Sequence, residues 1–154
     1  MDLQTIDALG NSISKLGAVL SLTLSAVGSG LGAWAAGMAA VGSWKKCYLQ
    51  NKAAPFLLVA FVGAPLSQTI YGMILMGNIV KAATLAANFP VLLGAGLLGG
   101  LAMGLSAWLQ GKAGAAAADS LAETGQGFGN YLMVLGVIET VALFVMVFIT
   151  QAIK

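Results

Sequence analysis

The stretch Val134-Leu-Gly-Val-Ile-Glu139-Thr-Val-Ala-Leu-Phe-Val-Met-Val-Phe-Ile149 is apolar, long enough to span a membrane, and carries one carboxylate in its middle. Gly129 lies ten residues before Glu139, and Gln151 lies twelve after it. At about 1.5 Å of rise per helical residue, the acid sits roughly 15–18 Å from either end. A hydrocarbon core about 30 Å thick then places Glu139 near its midplane. A carboxylate left there is costly unless it is protonated, paired or bound to a cation, so the position reads as a site.

The rest of the chain has the same character. Of 154 residues, 59% are hydrophobic and 8% charged, and the mean hydropathy is +0.93. Soluble domains carry about 25% charged residues. The composition is that of an all-α integral membrane protein with a single membrane domain over residues 1–154. The absence of histidine excludes imidazole catalysis and His-metal sites, and the single Cys47 excludes an intrachain disulfide. All seven basic residues are lysines, so any guanidinium the function needs must come from a partner. A net charge of +2 gives no nucleic-acid signal. Asp2 and Asp7, without a basic leading segment, argue against a cleaved signal peptide.

Four apolar runs are expected to form transmembrane helices. The first covers roughly Ile13 to Trp44 after a polar lead-in, and it clusters Gly28, Gly30, Gly32, Ala33, Ala36 and Gly37. Small residues at three- and four-residue spacing let helix backbones approach closely in lipid. The second runs from Pro55, which suits a first helical turn, to about Asn78. The third, about Val91 to Ala118, carries Gly96, Gly100 and Gly104, and the fourth carries Glu139. Polar loops are expected around 45–53, Lys81 to Pro90, and 119–127. Loop lysines at 45, 46 and 52 place the first and third loops in the cytoplasm and both termini outside.

The chain also repeats itself. Gly30-Leu31-x-Ala33-Trp34-x-x-Gly37 returns as Gly104-Leu105-x-Ala107-Trp108-x-x-Gly111, at an offset of 74 residues. With the offset reduced by one, Leu66 aligns with Glu139. Two duplicated hairpins are expected, repeat 1 over about 12–82 and repeat 2 over about 88–154, with the carboxylate present once per four helices. Two hairpins cannot bury four glycine-rich faces by themselves. A head-to-tail interface that closes into a ring would do so.

The polar groups at membrane depth are Ser67, Gln68, Thr69, Tyr71, Gln110, Glu139 and Thr140. Carboxylate, amide carbonyl and hydroxyl oxygens suit a hard cation, and one negative charge among neutral oxygens suits a monovalent one. Tyr71 lies four residues after Ser67 on one helical face, within reach of a carboxylate on a neighbouring helix. One spacing conflicts with this grouping. Gln110 lies nine residues before Asp119, whereas Glu139 lies fourteen after Gly125. With Asp119 in a loop, the two would differ in depth by several ångströms.

With Pro65-x-Ser67-Gln68-x-x-Tyr71-Gly72, Gln110-Gly111-Lys112 and Glu139-Thr140 in these positions, the whole chain resembles the duplicated proteolipid of V-type ATPases, nearest the bacterial sodium-translocating kind. The resemblance implies Na⁺ ligation by Glu139, Gln110, Gln68, Ser67 and the backbone carbonyl of Ala64, with Tyr71 capping the carboxylate. It implies a homo-oligomeric ring in the cell membrane, a stator protein that supplies an arginine, and central-stalk proteins that meet the cytoplasmic loops. ATP would be hydrolysed elsewhere, because the chain has no phosphate-binding loop. The same ring carrying H⁺, a small dimeric cation-coupled transporter, and a membrane protein without transport are the competing readings.

Overall fold

The computed structural model describes residues 2–83 and 88–154. The chain folds into α1 (Leu3–Leu49), α2 (Leu58–Gly63), a 3₁₀ turn (Ala64–Leu66), α3 (Ser67–Ala82), α4 (Phe89–Thr124) and α5 (Phe128–Ala152). α2, the turn and α3 run on as one segment, Leu58–Ala82, so four helical segments are long and apolar enough to cross a membrane. All four expected spans are present. They are longer than the apolar runs that announced them.

α1 has 47 residues, about 70 Å at 1.5 Å per residue, more than twice the hydrocarbon thickness. The polar lead-in belongs to it, capped by the Asp2 side chain, which accepts the Thr5 backbone N–H at 3.0 Å. The expected loops at 45–53 and 119–127 are accordingly shorter. Lys45 and Lys46 lie on α1, and Asp119 and Glu123 lie on α4. Lys46 pairs with Glu123 from α1 to α4, both side chains about half exposed. α4 stops at Gly125, whose φ of +66° is left-handed and open to glycine, and its N–H bonds back to the Leu121 carbonyl at 2.8 Å. Pro55 precedes the second span and does not open it. Its carbonyl accepts the Trp44 indole N–H at 2.8 Å, which ties the end of α1 to the turn before α2. Of the expected turn at Lys81 to Pro90, Lys81 lies in the last turn of α3 and Pro90 sits in the first turn of α4, while 84–87 lie outside the described residues.

α1 and α4 run parallel and touch backbone to backbone. A Cβ placed on Gly96 would lie 1.8 Å from the Gly17 carbonyl oxygen, one on Gly28 would lie 2.0 Å from that of Gly104, and one on Gly111 would lie 2.1 Å from that of Gly32. Only glycine permits this approach. α3 crosses α1 in the antiparallel sense, with Gly72 against Ser21 and Ser25. α5 lies at the edge of the bundle, where Leu135 and Ala142 are its buried residues.

The apolar core is divided in two. One cluster gathers Leu58, Phe61, Ala118, Leu121 and Leu135, and the other gathers Leu75, Ile79, Leu92, Met103 and Ala142. Between them the polar side chains of α3, α4 and α5 form a belt.

Candidate ion-binding site

Pro65 creates the local backbone on which the site is built. A proline inside a helix cannot donate to the carbonyl four residues back, and its ring crowds that carbonyl. The segment tightens into the 3₁₀ turn Ala64–Leu66, where the Ser67 N–H bonds to the Ala64 carbonyl. The Ser67 hydroxyl lies 3.1 Å from that same carbonyl. Ala64 therefore presents an oxygen to Ser67 at the depth of the polar belt.

From Ser67 a chain of hydrogen bonds leads to the carboxylate. The Ser67 hydroxyl also lies 3.1 Å from Gln68 Oε1, and Gln68 Nε2 donates to Gln110 Oε1 at 2.7 Å. Gln110 Nε2 donates to the Leu135 carbonyl at 2.9 Å and to Glu139 Oε2 at 3.3 Å. The other carboxylate oxygen, Glu139 Oε1, accepts the Tyr71 hydroxyl at 2.7 Å. Gln68 and Gln110 are fully buried, whereas Tyr71 and Glu139 are partly exposed at the seam between α3 and α5. The neutral amides lie inside and the charge lies at the edge.

The side chains of Ser67, Gln68, Gln110, Tyr71 and Glu139 thus form one connected group. The depth conflict between Gln110 and Glu139 disappears because α4 runs to Thr124. Gln110 then lies fourteen residues from the end of α4, and Glu139 lies eleven from the start of α5. Thr140 is not part of the group. It is exposed and donates to the Val137 carbonyl of its own helix at 2.7 Å. Lys112 is exposed, with its ammonium 4.9 Å from the centre of the Trp108 ring.

Ser106 was not distinguished in the sequence from the small residues around it. One turn before Gln110, its hydroxyl donates to the Ile138 carbonyl at 3.0 Å. With the bond from Gln110 to Leu135, it fastens to α4 the turn of α5 that carries Glu139. Interhelical bonds of this kind average about 0.6 kcal/mol in membranes. Ser106→Ala should lower the thermal midpoint in detergent by about 1–3 °C, and differential scanning fluorimetry would measure it.

Among the described residues, no three His, Cys, Asp or Glu side chains come together. The group therefore offers one carboxylate and several neutral oxygens. Residues 93–149, which carry both Gln110 and Glu139, match the ATP synthase C-subunit family. The similarity covers 57 of the 154 residues and lies within α4 and α5. No curated protein matches the sequence. The matched segment contributes the charged end of the hydrogen-bond chain. Ser67, Gln68 and Tyr71 reach it from the first hairpin.

Proposed function

We propose that this chain is the ion-carrying proteolipid of a rotary V-type ATPase, one protomer of a closed membrane ring, and that each protomer binds one Na⁺. The observation that carries this reading is the convergence of Ser67, Gln68, Gln110 and Tyr71 on Glu139 at mid-span. The cation is the cargo. Glu139 supplies its counter-charge, and the oxygens of Gln110, Gln68, Ser67 and Ala64 replace its hydration shell. A loaded site is then close to neutral, which favours passage along lipid.

Tyr71 and Gln110 hold the carboxylate oriented while the site is empty. An arginine on a stator protein would compete with the cation for Glu139 and so release it, in keeping with the absence of arginine from this chain. The paired ends of α1 and α4, with Lys45, Lys46 and Lys52 nearby, are the surface we assign to the central stalk on the cytoplasmic side. The termini then face outward. The glycine offset of 74 residues supports two duplicated hairpins, and parallel packing of α1 on α4 suits an inner circle with α3 and α5 outside it.

Carbodiimide labelling of Glu139 at moderately acidic pH tests the ion. Sodium chloride should slow the labelling, and the same concentration of choline chloride should not. Labelling indifferent to sodium would replace Na⁺ with H⁺. A small oligomer in mild detergent, such as a dimer, would remove the ring.

A further inference from the structure

Among the described residues, Ser29 Oγ is the one buried side-chain polar atom without a hydrogen-bond partner. Ser14, Ser21 and Ser25 on this face of α1 are each hydrogen-bonded. Ser21 donates to Ala18 and approaches the Gly72 carbonyl, and Ser25 donates to the Ser21 carbonyl at 2.7 Å. A serine in a helix ordinarily bonds the carbonyl one turn back. Ser29 does not, and it is 2% exposed. A hydroxyl left unpaired at such a depth calls for an explanation.

The register of α1 against the second span shows what faces it. A Cβ on Gly72 would lie 2.7 Å from Ser25 Oγ, and a Cβ on Gly32 would lie 2.8 Å from Pro65 Cβ. Between these contacts α1 advances from Ser25 to Gly32 while the second span returns from Gly72 to Pro65. Ser29 and Gln68 occupy the turn in between, on faces that are both buried.

Donor accounting then assigns Ser29 a role. In the structure the Gln68 amide nitrogen donates to Gln110 Oε1 at 2.7 Å. With the oxygens of Gln68 and Gln110 both turned onto one cation, the Gln68 amide nitrogen is aimed away from Gln110 Oε1, and its buried N–H groups need another acceptor. We propose that Ser29 Oγ is that acceptor, so that Ser29 is a positioning residue which holds Gln68 in its cation-ligating orientation. The idea rests on the sodium reading of the site. Ser29 is engaged when a cation is bound.

The test compares wild type, Ser29→Ala and Ser29→Thr by carbodiimide labelling of Glu139 over a range of sodium concentrations. In Ser29→Ala, the sodium concentration that halves labelling should rise about three- to tenfold, the worth of one lost hydrogen bond. Its labelling rate without sodium should equal that of wild type, because it is the cation-bound site that uses Ser29. Threonine keeps the hydroxyl and should restore protection to near the wild-type concentration. An alanine protein with wild-type protection, or a threonine protein as weak as the alanine one, overturns the role of Ser29 and leaves the sodium reading standing. Wild-type labelling indifferent to sodium removes both.

Discussion

Glu139→Gln is expected to leave the protein folded and to abolish sodium binding and sodium-coupled transport. Glutamine has the shape of glutamate, and its Oε1 can still accept the Tyr71 hydroxyl. Its amide nitrogen, however, would face Gln110 Nε2 where the carboxylate oxygen now sits at 3.3 Å. Two donors would oppose each other, so one of the two contacts turns away. The larger loss is electrostatic. A cation in the group would keep its neutral ligands and lose its counter-charge, and breaking a buried charge pair in this way costs about 3–5 kcal/mol. At about 1.4 kcal/mol per tenfold, affinity falls by roughly two to four orders of magnitude. Sodium binding to the detergent-solubilised protein and sodium uptake by membrane vesicles that carry the variant would show it. Binding retained within about tenfold of wild type would mean that Glu139 is not the counter-charge.

Moving the carboxylate to its repeat partner would not recover the site. Leu66, aligned with Glu139, lies on the 3₁₀ turn and is half exposed. At the 74-residue offset, the position that matches Gln110 is Ala36, which is fully buried and offers no side-chain oxygen. The two halves of the chain therefore differ in chemistry as well as in charge. The first supplies Ser67, Gln68 and Tyr71, and the second supplies Gln110 and Glu139, so the site exists only where both meet.

Glu139 was legible from the sequence because a single charge inside an apolar run has few explanations in lipid. Ser67, Gln68, Tyr71 and Gln110 were legible because each stands out as polar at span depth. Helix ends were less so. Lys45, Lys46, Asp119 and Glu123 resemble loop residues when each is considered alone. On adjacent parallel helices, Lys46 meets Glu123, and α1 and α4 continue past the apolar runs together. Ser106 and Ser29 carry no mark in a chain full of small residues. What distinguishes them is register: Ser106 faces the Ile138 carbonyl, and Ser29 lies level with Gln68. Register between helices follows from which glycines touch, and that belongs to the packed bundle.

Those glycine contacts yield the second large effect, in which two neighbouring glycines on one helix should respond with opposite signs. In a solvated helix, alanine is better than glycine by about 1 kcal/mol. Gly30 has no atom within 4 Å of where a Cβ would stand, so Gly30→Ala should leave the thermal midpoint unchanged or raise it. Gly28 is different. Its Cβ would lie 2.0 Å from the Gly104 carbonyl oxygen and 2.3 Å from Gly104 Cα. Both obstacles are backbone, so no side chain can turn aside, and α1 and α4 must separate. Overpacking of this kind costs about 1–3 kcal/mol. Because the two helices are rigid over this length, the separation also loosens the contacts at Gly17 with Gly96 and Gly32 with Gly111. Gln110 lies on α4 beside Gly111, so the displacement reaches the ion site. Gly28→Ala should therefore lower the thermal midpoint by about 2–12 °C, at about 2–4 °C per kcal/mol for a chain of this size. It should also raise the sodium concentration needed to protect Glu139. Thermal unfolding of the two variants side by side in detergent decides the matter. A fall at Gly30 as large as that at Gly28 would place a second close-packed surface at Gly30, against a neighbouring chain. No fall at either would mean that α1 and α4 do not meet through these glycines.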